Sequence, residues 1–263
     1  LIIVDNASTD GSREVLVELS NQYPGLRVIY NDKNLGVAEG RNTGWQAATR
    51  NFILNIDDDT RISLMEIIAL HQFAIEKPDA GVISPRILHA ITEAAQNDHG
   101  DKEYEPANFH GACHLVRRDV YRKVGAIDPA CSFGGEEIDY SIRVRAAGYK
   151  VIYTPNVSIK HNNFIRSGGE GAWRRRQWLY NFSRVYFKHF PVYIAFMLSF
   201  RYLISCLVSG MRQYGLFFAL SLPKQVVFGA LDGRRQYQSI PREVRDFYVN
   251  PALRPDFGNV PLY

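Results

Sequence analysis

Three adjacent carboxylates, Asp57, Asp58 and Asp59, follow the apolar run 52–56 and are the first candidates for chemistry in this sequence. Such neighbours repel one another unless a cation or solvent compensates their charge. Alternate side chains of an extended turn point the same way, so Asp57 and Asp59 can converge on one hard divalent cation that also bridges diphosphate oxygens. Mn²⁺ and Mg²⁺ are the expected ions. The alternative is an exposed acidic turn without a ligand.

A second acidic cluster, Glu136, Glu137 and Asp139, follows the pair Gly134-Gly135 at the predicted start of a helix. The helix dipole favours carboxylates in the first turn, but three acids within four residues exceed what the dipole requires. A carboxylate placed after two flexible glycines can take a proton from an acceptor hydroxyl as a general base. Glu136 and Glu137 are therefore candidates for a catalytic base.

Three further polar residues follow predicted strands or glycine-rich turns. Asp5 ends the first apolar run and can accept hydrogen bonds from a base or a ribose. Arg41 lies in the glycine-rich segment 34–44, where a planar guanidinium can reach a nucleotide, although the segment lacks the Lys-Ser/Thr of a phosphate-binding loop. His161 follows a strand-like run, and a lone histidine is more often a structural residue than a ligand.

Strands and helices are predicted to alternate up to residue 155, an order typical of an α/β fold with an open, mostly parallel sheet flanked by helices. Ligands bind such sheets at the carboxyl ends of the strands, where the candidate residues fall. Ser63 and Glu66 form a predicted capping box, and the polar segment 89–108 is predicted to be a mobile loop over the site. The predicted strands are 1–4, 26–30, 52–56, 80–87, 110–116 and 150–155, and the main predicted helices are 12–23, 64–77, 117–125 and 134–149.

Charge divides the chain into a predicted α/β domain, 1–165, and a basic, aromatic and mainly helical region, 166–263. The first contains 17 Lys and Arg against 22 Asp and Glu, and the second contains 14 against 5. A basic surface of this kind can meet an anionic membrane or a nucleic acid. The aromatic residues around 174–176 suit a lipid interface better, so we expect no nucleic-acid partner.

Two apolar runs, 192–200 and 203–211, are each shorter than the roughly eighteen residues that a membrane-spanning helix needs, and Arg201 separates them. We expect an amphipathic hairpin within 173–222 that lies at a membrane surface. The alternative is a helical subdomain packed on the core or on a second subunit of a homo-oligomer. The three cysteines lack CxxC spacing, which favours a reducing compartment and a cytoplasmic protein at the inner face of the membrane.

The order of these motifs resembles that of glycosyltransferase family 2, a large family of inverting enzymes with the GT-A fold. It is most similar to the bacterial rhamnosyltransferase-like branch. The resemblance covers about residues 1–190, and the motifs in fixed order are specific where each alone is not. They read DNASTDGS from Asp5, NLGVAEGRNTG from Asn34, DDD from Asp57, GACHLVRRDVYRKVGAID from Gly111 and GGEEIDYSIRVRAAGYKVIYTP from Gly134, followed by His161.

The resemblance implies where the donor binds. Asp5 is expected to contact the base, and Arg41 is expected to contact the nucleotide. Asp57 or Asp58 is expected at the ribose. Gly111 matches a small residue that lets the donor sugar approach the backbone.

The resemblance also implies a metal site and a catalytic base. Asp59 and His161 are expected to bind the divalent metal. The family's Glu-Asp pair provides the base from its second member, a position that Glu137 occupies in this sequence. The expected base is therefore Glu137, with Glu136 as the alternative.

The implied activity is transfer of a sugar, with inversion, from a UDP- or dTDP-sugar to a hydroxyl of a glycan or glycolipid acceptor, in bacterial surface polysaccharide or glycolipid synthesis. Members of the family begin with an apolar strand and a polar loop before the motif at Asp5. This sequence starts at the second strand of the family, so we expect the first strand to be missing: either it precedes residue 1 in a longer protein, or donor binding is compromised. Two alternatives stay open: a degenerate, non-catalytic transferase-like scaffold, and a sugar-phosphate nucleotidyltransferase.

Overall fold

The computed structural model describes residues 1–97, 100–162 and 169–253. Its first elements are β1 Ile2–Asp5, α1 Ser12–Gln22, β2 Arg27–Tyr30, α2 Gly36–Ala47, β3 Phe52–Ile56, β4 Thr60–Arg61, α3 Leu64–Glu76 and β5 Ala80–His89. These are followed by β6 Cys113–Arg117, α4 Arg118–Val124, α5 Glu136–Ala146 and β7 Lys150–His161. The C-terminal elements are α6 Gly169–His189, α7 Val192–Tyr214, α8 Leu216–Leu220, α9 Leu222–Arg235, α10 Arg242–Val249 and a 3₁₀ turn, Pro251–Leu253. The predicted domain boundary at 165–166 lies outside the described residues.

The central sheet has five strands in the order β3-β6-β5-β7-β4. Strands β3, β5 and β7 run in one direction, whereas β6 and the two-residue β4 run against them. Strands β1 and β2 form a separate parallel pair, and β1 pairs with no other strand of the described residues. The predicted fold class, an α/β domain with mostly parallel strands and a helical C-terminal part, is confirmed.

Helices cover both faces of the central sheet. On one face α2, α4 and α5 pack on the strands through Trp45, Val120 and Tyr140. On the other face α3 packs through Leu70 and Phe73. The predicted capping box at the start of α3 is present, with both of its hydrogen bonds formed. The sheet edge that bears the candidate residues is thus fixed by a core on each side.

Strand β7 is longer than the predicted strand 150–155. It continues to His161, and an irregularity in its pairing with β5 accommodates the extra residues. The end of β7 pairs with β4, and Thr60 lies opposite His161. This pairing makes the acidic turn 57–59 and His161 neighbours.

The described part of segment 89–108 packs along the sheet, in contrast to the predicted mobile loop over the site. The Asn97 side chain accepts a hydrogen bond from the Ile87 amide at 2.6 Å and donates one to the Pro85 carbonyl at 2.9 Å. These bonds continue the hydrogen-bonding pattern of β5. The segment therefore acts as a packed connection that reaches the site at its end, near Asn108.

Helix α7 runs without interruption from Val192 to Tyr214, so the predicted hairpin is wrong. Arg201 does not break the helix because buried residues on either side of it, such as Leu198 and Tyr202, share one face. With 23 residues and a mean hydropathy of 1.7 in its most apolar stretch, α7 is long and apolar enough to cross a membrane. That stretch is 39% buried inside the protein, and a buried core helix passes the same test, so this is weak evidence for a span.

A buried carboxylate, Asp139 in α5, joins the α/β part of the chain to α6. Its Oδ1 accepts hydrogen bonds from Lys188 Nζ and His189 Nε2, each at 2.8 Å, and its Oδ2 accepts one from Arg143 Nε at 2.8 Å. Burial alone raises the pKa of a carboxyl, but the hydrogen bond from His189 and the neighbouring cations outweigh burial. They hold the pKa of Asp139 far below its usual range.

We expect Asp139→Asn to lower the free energy of unfolding by about 3–5 kcal/mol at pH 7, because the buried cations lose their carboxylate. Since the pKa of Asp139 is depressed by folding, its stabilisation is present above about pH 4, the usual value in an unfolded chain, and is lost as the pH falls further. Urea unfolding at pH 7 and at acidic pH measures both effects. The control Asp246→Asn removes an exposed carboxylate of α10 and should change stability by less than about 0.5 kcal/mol. Equal losses in the two variants would contradict the prediction.

Candidate active site

A cavity of about 490 Å³ lies between the carboxyl-end edge of the central sheet and the C-terminal helices. Its α/β half is lined by Val37 and Arg41 of α2, Asp57 after β3, residues 108–112 before β6, residues 133–137 at the start of α5, and His161. Its helical half is lined by Gly171, Arg174, Arg175, Trp178, Phe182, Tyr202, Gln213 and Tyr214. Six of the predicted site residues therefore share one cavity: Arg41, Asp57, Gly111, Glu136, Glu137 and His161.

The guanidinium of Arg41 lies among three carboxylates. Its Nη2 is 3.1 Å from both carboxylate oxygens of Asp57, and its Nη1 is 3.2 Å from Glu136 Oε1 and 3.6 Å from Glu137 Oε1. The Arg41 side chain is only 9% exposed. Burial opposes its charge, but the three carboxylates outweigh burial and raise the pKa of Arg41. Arg41 thus gathers acidic residues from two distant segments around one positive charge.

Glu136 and Glu137 are adjacent but differ in exposure. The Glu136 side chain is 4% exposed, and burial followed by the charge of Glu137 raises its pKa well above the usual range. The Glu137 side chain is 20% exposed and can meet a ligand in the cavity. Gly134 before them has a φ of +75°, and a Cβ there would lie 1.8 Å from Cδ1 of Trp178. This glycine is therefore required for contact between the start of α5 and α6.

Gly111 allows Glu137 and Arg41 to approach the backbone. A Cβ at this position would lie 2.4 Å from Glu137 Oε1 and 2.8 Å from Arg41 Nη2. Beneath the turn, the buried ring of His114 places Nδ1 3.2 Å from the carbonyl oxygens of His110 and Gly111. The turn is therefore held from below by an imidazole that has no access to the cavity.

Asp59 and His161 contact each other beside the cavity. His161 Nε2 lies 3.1 Å from Asp59 Oδ1, and His161 Nδ1 lies 2.6 Å from Oε1 of Gln96. If the Nδ1 proton is donated to Gln96, a neutral imidazole turns its Nε2 lone pair toward the Asp59 carboxylate. A proton or a cation is then needed between the two groups. Gln96 thus favours the tautomer that a metal ligand requires.

This pair fits a divalent cation that also takes ligands from a diphosphate. Mg²⁺ usually keeps several waters and binds one or two carboxylates plus substrate phosphates, without a complete protein cage. Among residues 1–97, 100–162 and 169–253 no group of three or more His, Cys, Asp or Glu side chains is placed to bind a metal alone. Asp57 and Asp59 do not converge as predicted, because Asp57 turns to Arg41 and Asp59 turns to His161.

Two of the predicted nucleotide-binding residues, Asp5 and Asp58, do not line the cavity. Asp5 is 3% exposed, and its oxygens accept hydrogen bonds from Arg13 Nε at 2.6 Å and from the Ser8 amide at 3.1 Å. Asp5 therefore closes the turn after β1 and anchors α1. Asp58 is exposed at the acidic turn.

Sequence reasoning missed His110, which also lines the cavity. The Ala112 amide donates a hydrogen bond to its Nδ1 at 3.2 Å, and its ring centroid lies 5.8 Å from that of His161. Burial, followed by the charges of His161 and Arg41, lowers the pKa of His110 to about 3. His110 is therefore neutral near pH 7. A lone histidine before an apolar strand carries no signal that would have revealed this position.

Comparison with known proteins finds a family profile and several relatives that match part of the chain. Residues 1–125 match the profile described as Glycosyl transferase family 2. The N-acetylglucosaminyl-diphospho-decaprenol L-rhamnosyltransferase of Mycobacterium tuberculosis is 22% identical over 215 residues, which cover 65% of this chain and 69% of that protein. The pre-mycofactocin glycosyltransferase of the same organism is 25% identical over 160 residues, which cover 52% of this chain and 32% of that protein.

Solved structures show the same fold. A mannosyltransferase from Pyrobaculum calidifontis, in complex with GDP-Man and Mn²⁺, matches with a TM-score of 0.56 and 17% identity. The match covers 89% of this chain and 75% of the mannosyltransferase chain. GalNAc-T7, solved with UDP, GalNAc and Mn²⁺, matches with a TM-score of 0.63 and 15% identity. The match covers 99% of this chain and 51% of the GalNAc-T7 chain. The profile match over residues 1–125 and the rhamnosyltransferase relative support a glycosyltransferase of family 2, and the solved structures show the GT-A fold. Enzymes of this class transfer a sugar from a nucleotide sugar.

We expect Gly111→Ala to displace Glu137 and Arg41, because the new Cβ would overlap both side-chain ends. These ends can move, so the free energy of unfolding should change by no more than about 1 kcal/mol. Sugar transfer should fall about 100-fold, since a displacement of about 1 Å can cost that much. Urea unfolding and release of nucleoside diphosphate measure the two effects. Gly25→Ala, where a Cβ meets nothing within 4 Å, is the matched control and should change neither. Normal transfer by Gly111→Ala would show that the close approach is dispensable.

Proposed function

We propose that this chain transfers a sugar, with inversion, from a UDP- or dTDP-sugar to a hydroxyl of a glycan or glycolipid, in bacterial surface polysaccharide or glycolipid synthesis. The observation that supports this best is that Glu137 and His161 line one cavity and that Asp59 contacts His161 beside it. Rhamnose is one candidate sugar, because the relative named above is a rhamnosyltransferase at 22% identity.

Glu137 is proposed as the general base. Its side chain is 20% exposed at the cavity, whereas that of Glu136 is 4% exposed and is paired with Arg41 at 3.2 Å. The Glu137 carboxylate takes the proton of the acceptor hydroxyl while the acceptor oxygen attacks the anomeric carbon. The bond from that carbon to the diphosphate oxygen breaks, and its electron pair leaves with the nucleoside diphosphate. One displacement of this kind inverts the anomeric configuration.

Asp59 and His161 are proposed to bind Mn²⁺ or Mg²⁺. When bound, the ion supplies positive charge to the diphosphate oxygens as negative charge develops on them. Arg41 and Asp57 are proposed at the nucleotide from within the cavity, and Asp58 from the exposed acidic turn.

Asp5 is proposed at the base, although its oxygens are already occupied by Arg13 and Ser8. Gly111 is proposed to face the donor sugar. The second candidate is a non-catalytic scaffold. The ion pair of Arg41 with Asp57 supports it, because these two side chains satisfy each other without a ligand. Turnover of a nucleotide sugar distinguishes the two candidates.

The proposal predicts release of nucleoside diphosphate from at least one donor in a panel of UDP- and dTDP-sugars, including dTDP-rhamnose, and loss of release when EDTA removes the metal. Glu137→Gln should lower the rate by about 10²- to 10⁴-fold, the usual contribution of a general base. Glu136→Gln should retain more activity, and the exposed control Glu76→Gln should match the original protein. Absence of turnover with every donor favours the scaffold. Near-normal turnover by Glu137→Gln moves the base to another residue.

We also propose that the C-terminal helices bind the inner face of a membrane. Large apolar side chains are exposed on three consecutive helices: Tyr193, Phe196, Phe200, Ile204, Val208 and Met211 of α7, Leu216, Phe217 and Leu220 of α8, and Val227, Phe228 and Leu231 of α9. Exposed basic residues accompany this surface: Arg212, Lys224, Arg234 and Arg235. Apolar side chains with adjacent cations suit an anionic lipid interface. A second copy of the chain is the alternative occupant.

Membrane binding is tested by sedimentation with vesicles of phosphatidylcholine alone or mixed with phosphatidylglycerol. We expect stronger binding to the anionic vesicles and weaker binding at high salt. Phe217→Ser should weaken binding about tenfold, since a buried Phe contributes roughly 1.5–3 kcal/mol. Phe217 is 90% exposed, and the control Ile91→Ser removes another exposed apolar side chain, 75% exposed, from segment 89–108. Binding unchanged by Phe217→Ser, or dimers without vesicles, would contradict the membrane role.

A further inference from the structure

The helical half of the cavity contains side chains that the proposed donor and base chemistry does not use. Arg174, Arg175 and Trp178 of α6 and Gln213 and Tyr214 of α7 form this wall. The residues proposed for the donor, the metal and the base belong to the α/β part of the chain. The helical wall is therefore available to the second substrate.

The wall carries the positive charges of Arg174 and Arg175. Arg175 donates hydrogen bonds to two uncharged groups, Ser209 Oγ at 2.5 Å and Gln213 Oε1 at 3.0 Å. It forms no ion pair with any Asp or Glu of the described residues. Arg174 pairs with Glu170 at 3.1 Å, but that carboxylate is 45% exposed, and exposed pairs of this kind contribute little.

The opposite wall of the cavity has the reverse charge. Glu136, Glu137 and Asp57 lie there around a single guanidinium. A ligand that spans the cavity therefore meets carboxylates at one end and guanidinium groups at the other. A substrate with a hydroxyl at one end and an anion at the other complements both walls.

We infer that the helical wall binds the acceptor through a phosphate, so that the acceptor is a sugar carried on a phosphate or diphosphate ester. This inference rests on the proposed function and adds the chemical class of the acceptor. An arginine fork matches phosphate oxygens in both geometry and charge. Arg175, with Arg174 beside it, binds the phosphate, and the hydroxyl of the sugar reaches Glu137. Trp178 and Tyr214 provide the aromatic surface between the two ends.

Two sources present this chemistry: a phosphate ester on a lipid carrier and a water-soluble sugar phosphate. Helix α7 lines the cavity with Tyr202, Gln213 and Tyr214 and exposes apolar side chains on its outer side. Both sources are compatible with the arginine wall, so the test includes one probe for each.

The test is calorimetric titration of the full chain, in buffer with EDTA, using farnesyl diphosphate, N-acetylglucosamine 1-phosphate and uncharged farnesol. At least one phosphate ester should bind, and farnesol should bind at least tenfold more weakly than farnesyl diphosphate. Arg175→Gln should weaken phosphate-ester binding about tenfold or more, as expected for loss of a charged hydrogen bond. Tighter binding of the farnesyl probe indicates a lipid carrier, and tighter binding of the sugar phosphate indicates a soluble acceptor. Either result supports the inference.

Arg176→Gln is the matched control. Arg176 of α6 also contacts a neighbouring helix: its Nε lies 3.0 Å from Ser221 Oγ, and its guanidinium lies over the ring of Phe218. Unlike Arg175, it does not line the cavity. Its loss should change affinity by less than twofold. Arg175→Lys keeps the charge and should retain more affinity than Arg175→Gln, which separates loss of charge from loss of the contacts with α7.

Equal affinity of Arg175→Gln and the original chain, or no binding of either phosphate ester, would overturn the inference. The donor assay distinguishes this failure from failure of the proposed function. Release of nucleoside diphosphate without phosphate-ester binding rejects the acceptor class alone. Phosphate-ester binding that depends on Arg175, without turnover of any donor, rejects the enzyme while leaving the anion site in place.

Discussion

The contact of Arg41 with Asp57, Glu136 and Glu137 is the interaction on which the rest of the site depends. A buried cation stabilises acidic side chains from two separate segments that lie close together in a small, partly dry space. The guanidinium fixes the start of α5 relative to the acidic turn after β3. Gly111 then lets the backbone before β6 approach this cluster closely. The shape of the α/β wall of the cavity follows from these contacts.

The positions of the candidate residues could be predicted from sequence where the signal was local. Strands that end in polar turns placed Asp57 and His161 at one sheet edge, and the Ser63-Glu66 pair marked the start of α3. The partner of each side chain could not be predicted in the same way. Arg41 and Glu136 are 95 positions apart, and only tertiary packing makes Arg41 a partner of carboxylates. The predicted convergence of Asp57 and Asp59 failed because each found a different partner outside the turn.

Two other differences between the sequence predictions and the structure have similar physical origins. The prediction of two apolar runs within 192–211 treated Arg201 as a break between them. In the structure the helix continues, because burial of one continuous face outweighs the cost of a single half-buried arginine. Asp5 was expected to bind a nucleotide, but Arg13 in the first turn of α1 is close enough to donate a hydrogen bond to it. In both cases the residue type was interpreted correctly as polar, and the missing information was which neighbour the fold would supply. The helical wall, with Arg175 and Trp178, could not be inferred from motifs because it depends on how α6 packs against α5.

Helix α7 is a single rod of 23 residues, roughly 35 Å long. Its inner side forms part of the cavity, and its outer side carries exposed apolar groups. Because α7 is one continuous helix, its inner and outer sides cannot move independently of each other. A displacement of α7 as a whole would therefore move Tyr202 and Tyr214 of the cavity lining with it. The cavity lining and the exposed apolar groups of α7 thus belong to one rigid element, so a change in the position of one is transmitted to the other.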